Sequence, residues 1–216
     1  MNSRDTILQR IRSEVSKGPR IEQPPVPEVW PRENPDALTM AARFEKELKD
    51  VHGEVVRVAS MAEAKAKLAE LIKTAGWTSL APMERPLCRE TVADLSPAML
   101  QWPKPDWPPK EMAQLSVSLI EPEALLADTG SCVIACPTAE DRLLCYLPPA
   151  CVVIAKAEHL REHLPAAWKE ISVRCFEKNL TGEFVIVTGP SRTADIEKLL
   201  ILGVHGPKRL VVLLVG

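Results

Sequence analysis

The sequence predicts an α/β fold, a mostly parallel sheet flanked by helices, with a helical arm ahead of it. Three observations carry the prediction. From residue 54 onward, short apolar runs of strand character alternate with helical patterns. The runs 131–135 and 151–155 are apolar throughout, as strands covered on both faces are. The run 184–187 ends at Gly189-Pro190, and a helical pattern follows at once with a hydroxyl, an arginine and a carboxylate in its first turn.

In chain order, residues 3–15 read as a short amphipathic helix, with Ile7, Leu8, Ile11 and Val15 at helical spacing. Residues 17–31 hold Pro19, Pro24, Pro25, Pro27 and Pro31, a density that excludes helix and favours an extended tether. The chain therefore divides into an arm and tether, 1–32, and an α/β domain, 33–216. The arm is expected to pack on the domain or on a partner subunit, a second copy of the chain included.

Within the domain, a helix is expected from about 34 to 51 and a strand over 54–58. Ser60-Met61-Ala62-Glu63 is a capping box that opens a helix ending near Gly76. Strand 77–81, a helical stretch 87–95 and a proline loop over 101–109 follow, with Trp102 and Trp107 covering apolar surface. Then come strand 115–120, a turn of helix over 123–126 and strand 131–135. Residues 143–147 are read as its hairpin partner across the polar turn 138–142. Strand 151–155, helix 158–171, strand 184–187, helix 193–202 stopped by Gly203, and a closing strand over 210–215 complete the pattern.

A chain of 216 residues that is 46% hydrophobic can bury a full core. Its formal charge of -2 offers no electrostatic case for nucleic acid or an acidic membrane. No apolar run reaches the roughly 18 residues that a membrane span needs. The polar start, Met1 to Asp5, lacks a signal-peptide core, so a cytoplasmic protein is expected. Of the six cysteines, Cys88, Cys132, Cys136, Cys145, Cys151 and Cys175, none forms a Cys-x-x-Cys pair or a ferredoxin-type run. They read as small buried hydrophobes, although Cys132 and Cys136 share one strand face and leave a paired-thiol role open. No His, Cys, Asp or Glu pattern has metal-ligand spacing, and no metal is expected. Dinucleotide, Walker and nucleophile-elbow motifs are all missing from the sequence.

Two turns are candidates for chemistry. In the first, Gly189, Pro190, Ser191, Arg192 and Thr193 lie at the carboxyl end of an expected strand, where open α/β sheets place ligands. A helix starting there aims unpaired N–H groups and a positive dipole end at one point, which suits an anion. Arg192 would clamp a carboxylate or phosphate through two parallel hydrogen bonds. The plainer alternative is a capped helix with a solvent-facing arginine, and Asp195 is most simply part of that cap. The second turn is Asp128-Thr129-Gly130-Ser131, with a flexible glycine, Thr129 and backbone donors for a ligand, and Asp128 as a proton acceptor. Its alternative is an Asx turn. Glu121, ending the preceding strand, is a further candidate acid or base. His205 falls in a helix-to-strand connection, expected at the opposite sheet edge from Arg192. His52, His159 and His163 are expected on solvated helix faces.

The motifs Ala127-Asp128-Thr129-Gly130-Ser131, Leu147-Pro148-Pro149, the run from Thr188 to Glu197, and Gly203-Val204-His205-Gly206-Pro207 occur in this order. In this the chain resembles the LUD-domain proteins, and among them the lactate utilization protein C family (LutC/YkgG). Similarity is dense from about Glu121 onward. The resemblance implies a three-layer α/β/α sandwich related to the NagB/RpiA/CoA-transferase-like group. It also implies a role in oxidising L-lactate to pyruvate beside partner subunits that bear iron–sulfur clusters, with no cofactor in this chain and a small anionic metabolite as ligand. Many relatives place a histidine where this chain has Cys151. The wider fold group suggests two alternatives: a stand-alone isomerase or CoA-transferase-like enzyme on a phosphorylated or acyl-CoA substrate, with Asp128 or Glu121 as acid/base or nucleophile, or a non-catalytic metabolite-binding module.

Overall fold

The computed structural model describes residues 3–17, 30, 33–174, 183–193, 201–202 and 206–216. Its contacts divide the chain into Met1–Pro31 and Arg32–Gly216. The first unit holds α1 (Ser3–Val15), in which no residue is buried and Ile7, Ile11 and Val15 are exposed.

The second unit opens with α2 (Ala37–Asp50), β1 (Glu54–Val58), α3 (Met61–Ala75), β2 (Leu80–Pro82), α4 (Pro86–Val92), α5 (Pro109–Met112) and β3 (Val117–Ile120). It continues with β4 (Ala124–Leu126), β5 (Ser131–Ala135), α6 (Ala139–Leu144), β6 (Ala150–Lys156), β7 (Leu160–Arg161) and α7 (Leu164–Arg174). The remaining elements are β8 (Phe184–Val187), β9 (Arg192–Thr193), β10 (Ile201–Leu202) and β11 (Arg209–Val215).

Local chemistry fixes the first helices. Asp36 caps α2 by accepting the Thr39 N–H at 2.7 Å, and the helix buries Ala41, Phe44 and Leu48 along one stripe. Ser60 caps α3 by accepting the Glu63 N–H at 3.3 Å, while the Glu63 carboxylate accepts the Ala59 N–H at 2.8 Å. Gly76, in the left-handed region at φ 66°, ends α3.

The expected parallel sheet is present, in the order β1-β11-β6-β3-β2, every pair parallel. Its middle strands explain their own sequences. From Ala150 to Ala155 and from Leu210 to Val215 every residue is buried, because both faces are covered. Helix α3 packs on β11 and β1, α4 on β6 and β2, and α2 on β1. At the amino edge Arg209 grips Glu54 with two bonds of 2.7 and 2.9 Å, pinning the start of β11 to the start of β1. Its exposure limits that pair to about 1 kcal/mol or less.

A second sheet departs from the expectation. Strands β5 and β8 do not join the parallel sheet. They lie in a four-stranded mixed sheet of order β7-β4-β5-β8, with β5 antiparallel to both β4 and β8. Residues expected as a helical turn, 123–126, form β4 instead, because Ala124–Leu126 finds a ladder partner in β5. Residues 143–147 do not pair with β5. Thr138 accepts the Asp141 N–H at 3.1 Å and opens α6 where a polar turn was expected. The expected helix over 158–171 starts later, at Leu164, since Leu160–Arg161 is drawn into pairing with β4. Helix α7 then covers the outer face of this sheet through Ala167 and Ile171 against Ala124, Leu126 and Val133.

Phe44 is fully buried, so Phe44→Ala is expected to cost about 3–5 kcal/mol in urea unfolding. Ile7→Ala on the exposed face of α1 is expected to change stability by about 0.5 kcal/mol or less. Equal effects would refute the division of the chain drawn above.

Candidate functional site

The antiparallel placement of β8 decides where the motifs meet. Register pairs Cys132 with Val187, so the next residues outward, Ser131 and Thr188, face each other at the sheet end. Their hydroxyl oxygens lie 2.7 Å apart. Ser131 donates to Thr129 Oγ1 at 2.8 Å, and Thr129 donates to Asp128 Oδ1 at 3.2 Å. Asp128, Thr129, Ser131 and Thr188 therefore form one hydrogen-bonded chain across two motifs far apart in the sequence. Ser131 is buried, Asp128 half-buried, and Thr129 and Thr188 are exposed. Ser131 and Thr188 were not singled out as site residues in the sequence, because their importance comes from cross-strand pairing that no local pattern reveals.

Both turns rest on the carboxyl end of α2. Gly130 sits at φ 64°, and a Cβ added to it would fall 2.4 Å from the Leu48 backbone nitrogen. A Cβ on Gly189 would fall 2.8 Å from the Val51 carbonyl oxygen. Pro190 is buried, Ser191 half-buried and Arg192 exposed. The Ser191 N–H donates to the Pro207 carbonyl at 2.9 Å, and the Lys208 N–H donates to the Pro149 carbonyl at 2.8 Å. The described residues of all four motifs thus converge beside the amino ends of β1, β11 and β6.

This arrangement corrects two expectations. The turn after β8 lies at the amino edge of the parallel sheet, because β8 belongs to the other sheet. Gly206-Pro207 therefore reaches Ser191, and a Cβ on Gly206 would lie 2.8 Å from that of Ser191. The described end of the 203–207 connection, Gly206-Pro207, thus lies beside the Arg192 turn rather than at the opposite sheet edge. His205, Gly203 and Asp195 themselves lie outside the described residues. The described ends of the helix expected over 193–202 are extended rather than helical, and residues 194–200 lie outside the described residues. Arg192 and Thr193 are extended as β9 and pair antiparallel with Leu202 and Ile201 of β10. A ladder partner overrides a capping pattern that is only local. Among the described residues no helix begins within the Gly189–Thr193 turn, and the Ser191 amide is already used by the Pro207 carbonyl. The exposed Arg192 guanidinium remains as a cation.

Glu121 is not brought to Asp128. It follows the carboxyl end of β3, with the whole of β4 between them, and accepts the N–H groups of Leu87 at 2.8 Å and Cys88 at 3.4 Å. It thereby caps α4, whose own N-cap residue Arg85 makes no side-chain cap. Burial raises its pKa, opposed by those two amides. Arg85 beside it is engaged by Glu123 at 3.0 Å and by the Ala135 carbonyl at 3.1 Å.

The histidines differ from expectation. His52 is exposed but lies just past α2 at φ 68°. His159 is half-buried and its pKa is lowered by burial. His163 is buried and caps α7 by accepting the Ala166 N–H at 3.0 Å. Cys88, Cys132, Cys136, Cys145 and Cys151 are buried and free, while Cys175 lies outside the described residues. Burial raises the thiols of Cys88 and Cys132, and that of Cys151 to about 12, which keeps them protonated and unreactive at neutral pH. Among the described residues, no three His, Cys, Asp or Glu side chains are placed to hold a metal ion.

The LUD domain family model matches residues 41–215. The chain is similar to lactate utilization protein C of Geobacillus thermodenitrificans, at 23% identity over all of this chain and 97% of that one. It is 30% identical to lactate utilization protein C of Bacillus pumilus over 47% of this chain and 43% of that relative, so there it spans less than half of the relative's length. The Escherichia coli protein YkgG is 30% identical over 47% of this chain and 45% of its own. A solved structure of a DUF162 family protein from Deinococcus radiodurans shares the fold with a TM-score of 0.63 at 17% identity, over 84% of this chain and 99% of that one.

Two expected outcomes test this geometry. Gly130→Ala and Gly76→Ala both place a side chain at positive φ, but nothing lies within 4 Å of a Cβ at Gly76. Gly76→Ala should cost about 1–2 kcal/mol, and Gly130→Ala distinctly more, by thermal or urea unfolding. For Glu121, a folded pKa above the unfolded value means that wild-type stability is lost as pH rises from the unfolded value, about 4.3, through the raised folded one. Glu121→Gln should therefore gain on wild type as the pH rises above the unfolded value, and a pH-independent difference would contradict the burial.

Proposed function

Because the chain belongs to the LUD domain family, we propose that it serves lactate utilization, as an accessory subunit of an assembly that oxidises L-lactate to pyruvate. The full-length relative named lactate utilization protein C supports that role. The single observation that carries it to a site is the meeting of the four motifs at one sheet edge, where Asp128, Thr129, Ser131 and Thr188 line up. The ligand is a small hydroxy or oxo carboxylate. Arg192, exposed four residues past Thr188, supplies the cation for its carboxylate. Asp128 accepts the proton that leaves the substrate hydroxyl.

In this reading the electrons pass to iron–sulfur clusters carried by partner subunits. Cys88, Cys132 and Cys151 are buried as protonated thiols, which does not suit cluster ligation. Glu121 keeps a structural task, the cap of α4.

The test is L-lactate oxidation in cell extract or in a reconstituted assembly, with and without this chain. Removal should abolish most of the rate. Asp128→Asn should lower it about 10-fold or more, and Arg192→Ala should raise the half-saturating lactate concentration about 10-fold. An oxidation rate indifferent to the chain would remove the proposal.

A further inference from the structure

The hydrogen-bonded chain at the sheet end has a direction. A serine hydroxyl carries one proton, and that of Ser131 is committed to Thr129 Oγ1. At the 2.7 Å contact between Ser131 and Thr188 the donor is therefore Thr188. Thr129 in turn donates to the Asp128 carboxylate. All three hydroxyl protons point toward Asp128, and the exposed oxygen of Thr188 is left with lone pairs only.

We infer that Thr188 is a specificity-determining residue that accepts a hydrogen bond from a hydroxyl of the ligand, so that the site takes a 2-hydroxy carboxylate in preference to the matching 2-oxo carboxylate. This rests on the lactate reading above and adds which redox form the site selects. A hydroxyl offers a proton to Thr188. A keto oxygen offers none, and meeting it would require Thr188 to turn its own proton outward and give up the bond to Ser131. Losing one such bond is worth roughly a factor of ten in affinity. The surroundings favour the same polarity. The turn bearing Thr188 lies against the carbonyl end of α2, with Val51 O beneath Gly189, and that end of a helix dipole repels acceptors and draws donors.

The chain also gives the ligand proton an exit. If a base is needed, the proton passes to Thr188 Oγ1 as Thr188 hands its own to Ser131, Ser131 to Thr129, and Thr129 to Asp128. Each oxygen gains one proton and loses one, and only Asp128 ends the sequence with one more.

The experiment is equilibrium binding of L-lactate and of pyruvate to the full chain, by titration calorimetry or ligand-observed NMR, in wild type and three variants. Wild type should bind L-lactate about 10-fold more tightly than pyruvate. Thr188→Val should bring the ratio to about one by weakening L-lactate, and Thr188→Ser should restore it. Asp128→Asn can present an amide N–H to Thr129 and lets the chain reverse, so the ratio should fall to one or below. Equal affinities in wild type, no saturable binding of either acid, or a ratio unmoved by Thr188→Val would each overturn the inference, whatever the oxidation assay gives. Lactate oxidation that is indifferent to this chain would instead remove the functional proposal while leaving a measured binding ratio intact.

Discussion

The position of the second sheet depends on one close approach, the contact of Gly130 with the backbone of Leu48. A helix can lie that near a turn only where no Cβ intervenes, and only a residue tolerant of positive φ can make the turn. Leu48 is itself fully buried, so α2 is fixed in the core before it meets the turn. The same helix end receives Gly189 at Val51. One rigid element thus sets the spacing between two loops far apart in the sequence, and the polar side chains they carry inherit that precision.

Much of the scaffold was legible because it is locally encoded. The capping box at Ser60, the stop at Gly76 and the unbroken apolar strands β6 and β11 each state their structure within a few residues. The errors fall where pairing decides. Residues 124–126, 192–193 and 201–202 are two or three residues long, too short for a period to show, and they are strands only because a neighbour completes their ladders. Likewise β5 and β8 read as parallel-sheet strands, since burial shows in composition whereas direction does not.

The site was legible in its parts and misread in its assembly. Asp128, Thr129 and Gly130 are recognisable as a polar turn on a glycine, and Gly189 to Arg192 as a break that ends in an exposed arginine. Placing them together requires knowing that β8 runs against β5, which moves the second turn to the other edge of the main sheet. The same reversal joins Gly206-Pro207 to Ser191. A turn read as a helix end is extended at its described residues, and the groups that its strand brings toward Asp128 are hydroxyls.

The place of β11 bears on how the protein is made. It follows every other described strand in sequence, yet it lies between β1 and β6, and among the described residues β1 has no other strand partner. While the ribosome is still adding residues 209–215, the main sheet exists as two separate edges, both apolar and both open to wrong partners. More than 150 residues must wait, collapsed but unsealed, for a seven-residue insert to join them. Chaperone protection of the nascent chain, rather than early local folding, is the natural demand of such a topology.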